Sequence, residues 1–236
     1  MPNPVVHFEI IGKDGAALRD FYASTFGWEI QLPPEMDYGL VDNGGVGING
    51  GIGTGDAPHS MFYIEVADPQ ATLDKVGQSG GKTVSPVMEI PGVVTLASFS
   101  DTEGNVVGLV KAGDEGPPGS DQPKANAVTW FEIVGKDSSK LRDFYSAVFG
   151  WQYQIPPDMD YGMIDNEGRG IGGAVGGDDN AHAIFYAEVD DPQGFMSKVE
   201  ANGGRVATPV MDGGMVTFGR FTDPEGNLVG LFKSNQ

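Results

Sequence analysis

The sequence predicts an α+β protein of two tandem modules, each reading βαβββ-βαβββ, with helices outside curved, mixed to antiparallel sheets. Three observations predict it. The chain repeats itself: FEI at 8–10 returns at 131–133, LRDFY at 18–22 returns at 141–145, and FGW at 26–28 returns at 149–151, an offset of 123 residues. Within each copy, short β-branched and aromatic runs alternate with stretches whose apolar residues recur at helical spacing. Between the copies, AGDEGPPGSDQPKAN at 112–126 is polar and rich in Pro and Gly, as a solvated linker is. The expected division is module 1 at 1–113, a linker at 114–126 and module 2 at 127–236.

In module 1, VVHFEI at 5–10 has the β-branched and aromatic content of a strand. Asp14 then caps a helix whose apolar residues Leu18, Phe21, Tyr22 and Phe26 share a face. Short strands are expected near 28–32, 38–42 and 46–52. The order returns with a strand at 61–66, a helix at 69–78, and strands near 83–88, 93–99 and 106–111. SGG at 79–81 and NGG at 202–204 supply the left-handed residue that ends each second helix. After PVM at 86–88 and 209–211 the offset falls by one, so Asp101 answers to Asp223 and Asn105 to Asn227.

Composition narrows the function. Fourteen Lys and Arg against 33 Asp and Glu give a net charge of −19, a field that repels nucleic acid and anionic membranes and favours neutral or cationic small ligands. With no cysteine, disulfides, thiolate catalysis and cysteine-based zinc sites are excluded. The start has no basic, apolar signal pattern, and no stretch approaches the ~20 apolar residues of a membrane span, so a cytoplasmic location is expected. The glycine-rich runs at 44–55 and 168–177 lack the G-x-x-x-x-G-K-[ST] pattern and are expected as bent strands with a mobile loop.

The order of these landmarks resembles the vicinal-oxygen-chelate superfamily of glyoxalase I, extradiol dioxygenases and bleomycin-resistance proteins, and most of all its tandem glyoxalase-like members. A first strand with a His leads to a helix containing DFY and then FGW; a second helix ends at GG; DTEGNVVGLVK (101–111) and DPEGNLVGLFK (223–233) resemble the family's closing turn and last strand. The resemblance implies metal positions: a His on the first strand, a His on the fifth and a Glu on the last. Here His7 fills the first, but the others fall on Met61 and Ile184, and on Gly108 and Gly230. Crosswise pairing of the units supplies no second ligand either. One imidazole cannot hold a catalytic divalent ion, which wants about three protein ligands. His7 is a weak candidate, no cofactor is expected, and a divalent metal is disfavoured.

Strand alternation then proposes what lines the inner face. If Phe8 and Ile10 pack under the helix, His7 and Glu9 face inward. By the same parity Met61, Tyr63 and Glu65 line the first module, and Trp130, Glu132, Ile184, Tyr186 and Glu188 the second. Glu9 and Glu132 are the candidate acid–base residues and the others candidate ligand contacts. His59 and His182 would share this face if the fifth strand began early, but their surroundings, DAPHS and DNAHA, favour a loop. Arg19 and Arg142 are expected to pair with nearby acids. The expected function is small-molecule binding, with metal-independent lyase, isomerase or hydroxylase-like chemistry. The alternatives are a non-catalytic sequestering or resistance protein and a divalent-metal glyoxalase or dioxygenase. The assembly is either a monomer, as a pseudo-dimer of modules, or a homodimer.

Overall fold

The computed structural model describes residues 3–34, 36–113, 124–164 and 169–235. Most of the expected linker, 114–123, lies outside the described residues. The first copy runs β1 (Val5–Gly12), α1 (Gly15–Phe26), β2 (Ile30–Gln31), β3 (Tyr38–Val41), β4 (Asn49–Thr54), β5 (His59–Val66), α2 (Pro69–Gln78), β6 (Lys82–Ile90), β7 (Val94–Ser100) and β8 (Val106–Lys111). The second runs β9 (Val128–Gly135), α3 (Ser138–Phe149), β10 (Tyr161–Ile164), β11 (Gly172–Gly177), β12 (His182–Glu188), α4 (Pro192–Ala201), β13 (Arg205–Asp212), β14 (Val216–Thr222) and β15 (Leu228–Ser234). These strands form two mixed sheets, of eight and seven strands. The difference is β2: in the second copy that pairing shrinks to one bridge between Gln154 and Met163, so the first half of that copy is one strand short of βαβββ. No helix among the described residues is long and apolar enough to cross a membrane.

The helices start where the sequence places caps. Asp14 accepts the Ala17 N–H at 2.9 Å and Asp137 the Lys140 N–H at 3.1 Å; Asp68 and Asp191 do the same ahead of Pro69 and Pro192. The first helix of each copy stops at a left-handed glycine, Gly27 and Gly150, with φ of 72° and 73°.

The compact units of the chain are composed differently from its sequence copies. One gathers Met1–Val6, Met61–Pro118 and Phe131–Ala183; the other gathers His7–Ser60, Gly119–Trp130 and Ile184–Gln236. The first βαβββ segment therefore packs with the last, and the second with the third, which is the crosswise pairing. Aromatic rings carry it. In one unit Phe62 meets Phe131 at 5.1 Å and Phe99 meets Phe144 at 6.0 Å; in the other Phe8 meets Phe185 at 4.9 Å and Phe26 meets Phe195 at 5.5 Å. Fully burying a ring of this size is worth about 1.5–3 kcal/mol relative to exposure.

The closing turns lock this pairing in place. Asp223 accepts the backbone N–H groups of Glu225 and Asn227, the Asn227 side-chain N–H and the Tyr22 hydroxyl at 3.1 Å, while Asn227 Nδ2 also donates to the Ile11 carbonyl on β1. Asp101, Asn105, Tyr145 and Val134 repeat the arrangement in the other unit. Burial pushes both carboxyls up, against the hydrogen bonds that hold them. The Asp–Asn landmark is thus an anchor that fixes where β1 and β9 lie, and with them the inner-face residues.

Candidate functional site

The site begins with the alternation of β1. Phe8 and Ile10 are fully buried, while His7 and Glu9 between them are half-buried on the other face. β4 runs parallel to β1 with Glu9 opposite Gly51, and β3 runs antiparallel to β4 with Leu40 opposite the same Gly51. A Cβ on Gly51 would overlap the ring of Tyr38. Because none is there, the ring lies across β4 and its hydroxyl reaches β1. It donates to Glu9 Oε1 at 3.3 Å and lies 3.2 Å from His7 Nε2. The neighbouring Gly50 makes room for Phe8 in the same way on the opposite face. The glycine run is therefore a strand whose missing side chains are replaced by rings, and only its start, at Gly44, Gly45 and Gly47, turns with positive φ.

His59 corrects the expectation of a loop. β5 begins at His59 and β12 at His182. Ser60 donates to the Leu228 carbonyl at 2.7 Å, which fixes the strand's start from a distant segment. The His59 Nδ1–H donates to the Ala57 carbonyl at 3.1 Å. Its Nε2 then lies 3.5 Å from Glu9 Oε2, with the imidazole 44% and the carboxylate 15% exposed. Donating a hydrogen bond to the Glu9 carboxylate raises the His59 pKa, opposed by partial desolvation. His7 moves the other way: loss of solvent around its ring lowers its pKa to about 4, although Glu9 pulls it up. Two histidines on one carboxylate are thus held in opposite protonation preferences.

The second copy keeps part of this. Glu132, 8% exposed, lies 3.8 Å from His182 Nε2, and the His182 Nδ1–H donates to the Asn180 carbonyl at 2.8 Å. Ala174 stands where the first copy has Gly51, and Trp130 where it has His7. Arg19 and Arg142 pair with Asp37 at 2.8 Å and Asp160 at 3.0 Å, as expected, and brace the two β3-type strands from the helices.

The remaining predicted residues fall into separate groups. Tyr63 lies on β5 opposite Gly108 of β8, and Tyr186 on β12 opposite Gly230 of β15. A Cβ on either glycine would overlap the facing tyrosine ring. Tyr186 also accepts from Arg220 Nε at 2.8 Å. Glu65 is paired with Arg169 at 2.5 Å, and Glu188, exposed, accepts from Thr129 at 3.3 Å. Met61 is half-buried and Ile184 fully buried, without polar chemistry. Strand alternation alone did not point to Tyr38, Gly51 or Arg220. The repeated MDYG, read with the register of three strands, is the signal that leads to Tyr38.

These rings also occupy the place of one family metal ligand. The last-strand carboxylate of the family would have to grow from Gly108 or Gly230 into space that Tyr63 and Tyr186 fill. Among the described residues, no three His, Asp or Glu side chains gather as a metal site. The residues present do not fit the family's ion.

Comparison with known proteins gives the class. Residues 5–44 match the bleomycin resistance protein-like N-terminal family, and residues 127–231 the glyoxalase/bleomycin resistance protein/dioxygenase superfamily. The chain belongs to this vicinal-oxygen-chelate superfamily, within which it is a tandem, two-module glyoxalase-like member. It is 27% identical to a Mycobacterium bovis protein named "Putative glyoxylase CFP32", over 93% of this chain and 90% of that one. A glyoxylase-like domain-containing protein of Didymella fabae is 33% identical, over 41% of this chain and 84% of the relative. The Mn(II)-bound glyoxalase of Novosphingobium aromaticivorans shares the fold, with a TM-score of 0.66 at 16% identity, covering 100% of this chain and 83% of that one.

Proposed function

We propose that this protein binds a small neutral or cationic molecule on the sheet faces that carry Glu9 and Glu132, and that these carboxylates, each with its histidine, do acid–base work without a metal. The observation that carries the reading is the repeated pair: Glu9 with His59 at 3.5 Å and Glu132 with His182 at 3.8 Å. A carboxylate beside an imidazole on a partly dry face is an arrangement suited to taking and returning a proton near neutral pH. The tyrosine rings over Gly108 and Gly230 support the metal-independent part, since they fill the place of the missing carboxylate. Lyase, isomerase or hydroxylase-like reactions are the classes to assay, and the expected location is the cytoplasm.

A thermal-shift screen of small metabolites on the wild type and on Glu9→Gln/Glu132→Gln tests the reading. Ligands that stabilise the wild type are expected to lose most of that effect in the double variant. Ligands that bind both proteins equally well would remove the carboxylates from the function.

A further inference from the structure

The first copy has an arrangement that the pair of carboxylates does not require. Tyr38 stands between His7 and Glu9, and Glu9 stands between Tyr38 and His59, with successive separations of 3.2, 3.3 and 3.5 Å. One end, His7, is half-buried on the inner face; the other, His59, is 44% exposed. A phenol has one proton. Since Tyr38 gives it to Glu9 Oε1, its oxygen can only accept from His7, and His7 Nε2 must carry the hydrogen. We infer that His7, Tyr38, Glu9 and His59 form one directional hydrogen-bond chain that carries a proton from a ligand O–H or N–H group at His7 to solvent at His59.

The transfer balances without any co-reactant. His7 takes the ligand's proton on Nδ1 and releases the Nε2 proton to the Tyr38 oxygen, while the Tyr38 hydroxyl proton passes to Glu9 Oε1. Glu9 turns and hands that proton to His59 Nε2, unprotonated at that moment. The net change is a ligand one proton poorer and a charged imidazole at the surface. The second copy cannot run this sequence, because the Trp130 indole only donates and takes up no proton at neutral pH. The ligand class is therefore one with an acidic or activated O–H or N–H group, handled by the first copy. This identity of the proton donor rests on the proposed function; the chain itself does not.

The test needs no ligand. The chain has three histidines, so imidazole-15N labelling of the full-length protein gives spectra assignable by single His→Gln variants. At neutral pH His7 is expected as the neutral Nε2–H tautomer. In Tyr38→Phe, exchange of that proton with water is expected to slow about tenfold, the equivalent of one lost hydrogen bond in the transfer path. Mere loosening of the packing would speed it instead. Gly51→Ala, which displaces the Tyr38 ring, is expected to slow it likewise, with His182 unmoved in both. An Nδ1–H tautomer of His7 in the wild type would overturn the inference even if neither variant folded. So would unchanged or faster exchange in either folded variant. Failure here leaves the carboxylate reading to its own binding test, and failure there leaves the chain standing.

Discussion

Two corners of the molecule occupy equivalent places in the repeat and are built differently. In the first copy Tyr38 crosses over Gly51 and reaches Glu9 and His7. In the second, Ala174 lies fully buried at the crossing point and Trp130 stands at the far end, beside the same Glu and the same following His. The two differences belong together. At position 7 the histidine meets the Tyr38 hydroxyl, which crosses where Gly51 leaves room for the ring. The shared parts, helix caps, closing turns and ring contacts, show that the fold tolerates either corner. The lesson is that a missing side chain in the middle strand lets a ring from the outer strand reach across to inner-face polar groups.

The largest effect is expected where both copies agree. Gly108→Glu or Gly230→Glu would return the family's carboxylate but drive it into a tyrosine ring. Each should lower stability by about 3–5 kcal/mol, through overpacking and a poorly solvated charge, in denaturant titrations. If either variant is as stable as the wild type, the ring does not fill that place.

Acid separates the copies next. His7 has its pKa lowered to about 4 from an ordinary 6.5, so the unfolded chain binds more protons than the folded one between these values. Its contribution is harmless above pH 6.5, and stability falls as pH drops through the window, by about 3 kcal/mol in all. His59, raised by Glu9, works with the opposite sign: its stabilisation is present below pH 6.5 and lost as pH rises through its folded pKa. His7→Gln should flatten the acid limb between pH 6.5 and 4 in unfolding curves. A limb of unchanged slope would show that the ring is not desolvated.

Smaller effects sharpen the comparison. Gly51→Ala should cost about 2 kcal/mol by displacing Tyr38, whereas the reverse change in the other copy, Ala174→Gly, should cost about 0.5–1 kcal/mol from backbone entropy. Equal costs would mean that the two corners do not differ in the way described. Smallest of all, Asp68→Ala and Asp191→Ala should each lose about 1 kcal/mol, alike in both copies, because the caps belong to what the copies share. Thermal melts of the pair would reveal any difference.

How far the sequence alone reaches follows from the range of the interactions. Alternation in VVHFEI was enough to turn Phe8 and Ile10 one way and His7 and Glu9 the other, because parity is local. The same holds for Asp14 and Gly27, which bracket α1 through bonds within the helix itself. His59 was misplaced because its strand is started by Ser60 bonding Leu228, a partner 168 residues away. Tyr38 stayed hidden for a related reason: its reach depends on the register of β3, β4 and β1 together, and on the absence of a side chain at Gly51. Gly108 and Gly230 were legible as empty ligand positions, but not the tyrosines that fill them, since the parallel pairing of β5 with β8 brings those rings across.

Metal-independence is the claim on which the functional account turns, and elemental analysis of the purified full-length chain tests it most directly. The account predicts Fe, Mn, Ni and Zn well below one equivalent per chain, at the same level in His7→Ala. Stoichiometric metal that disappears in His7→Ala would contradict it.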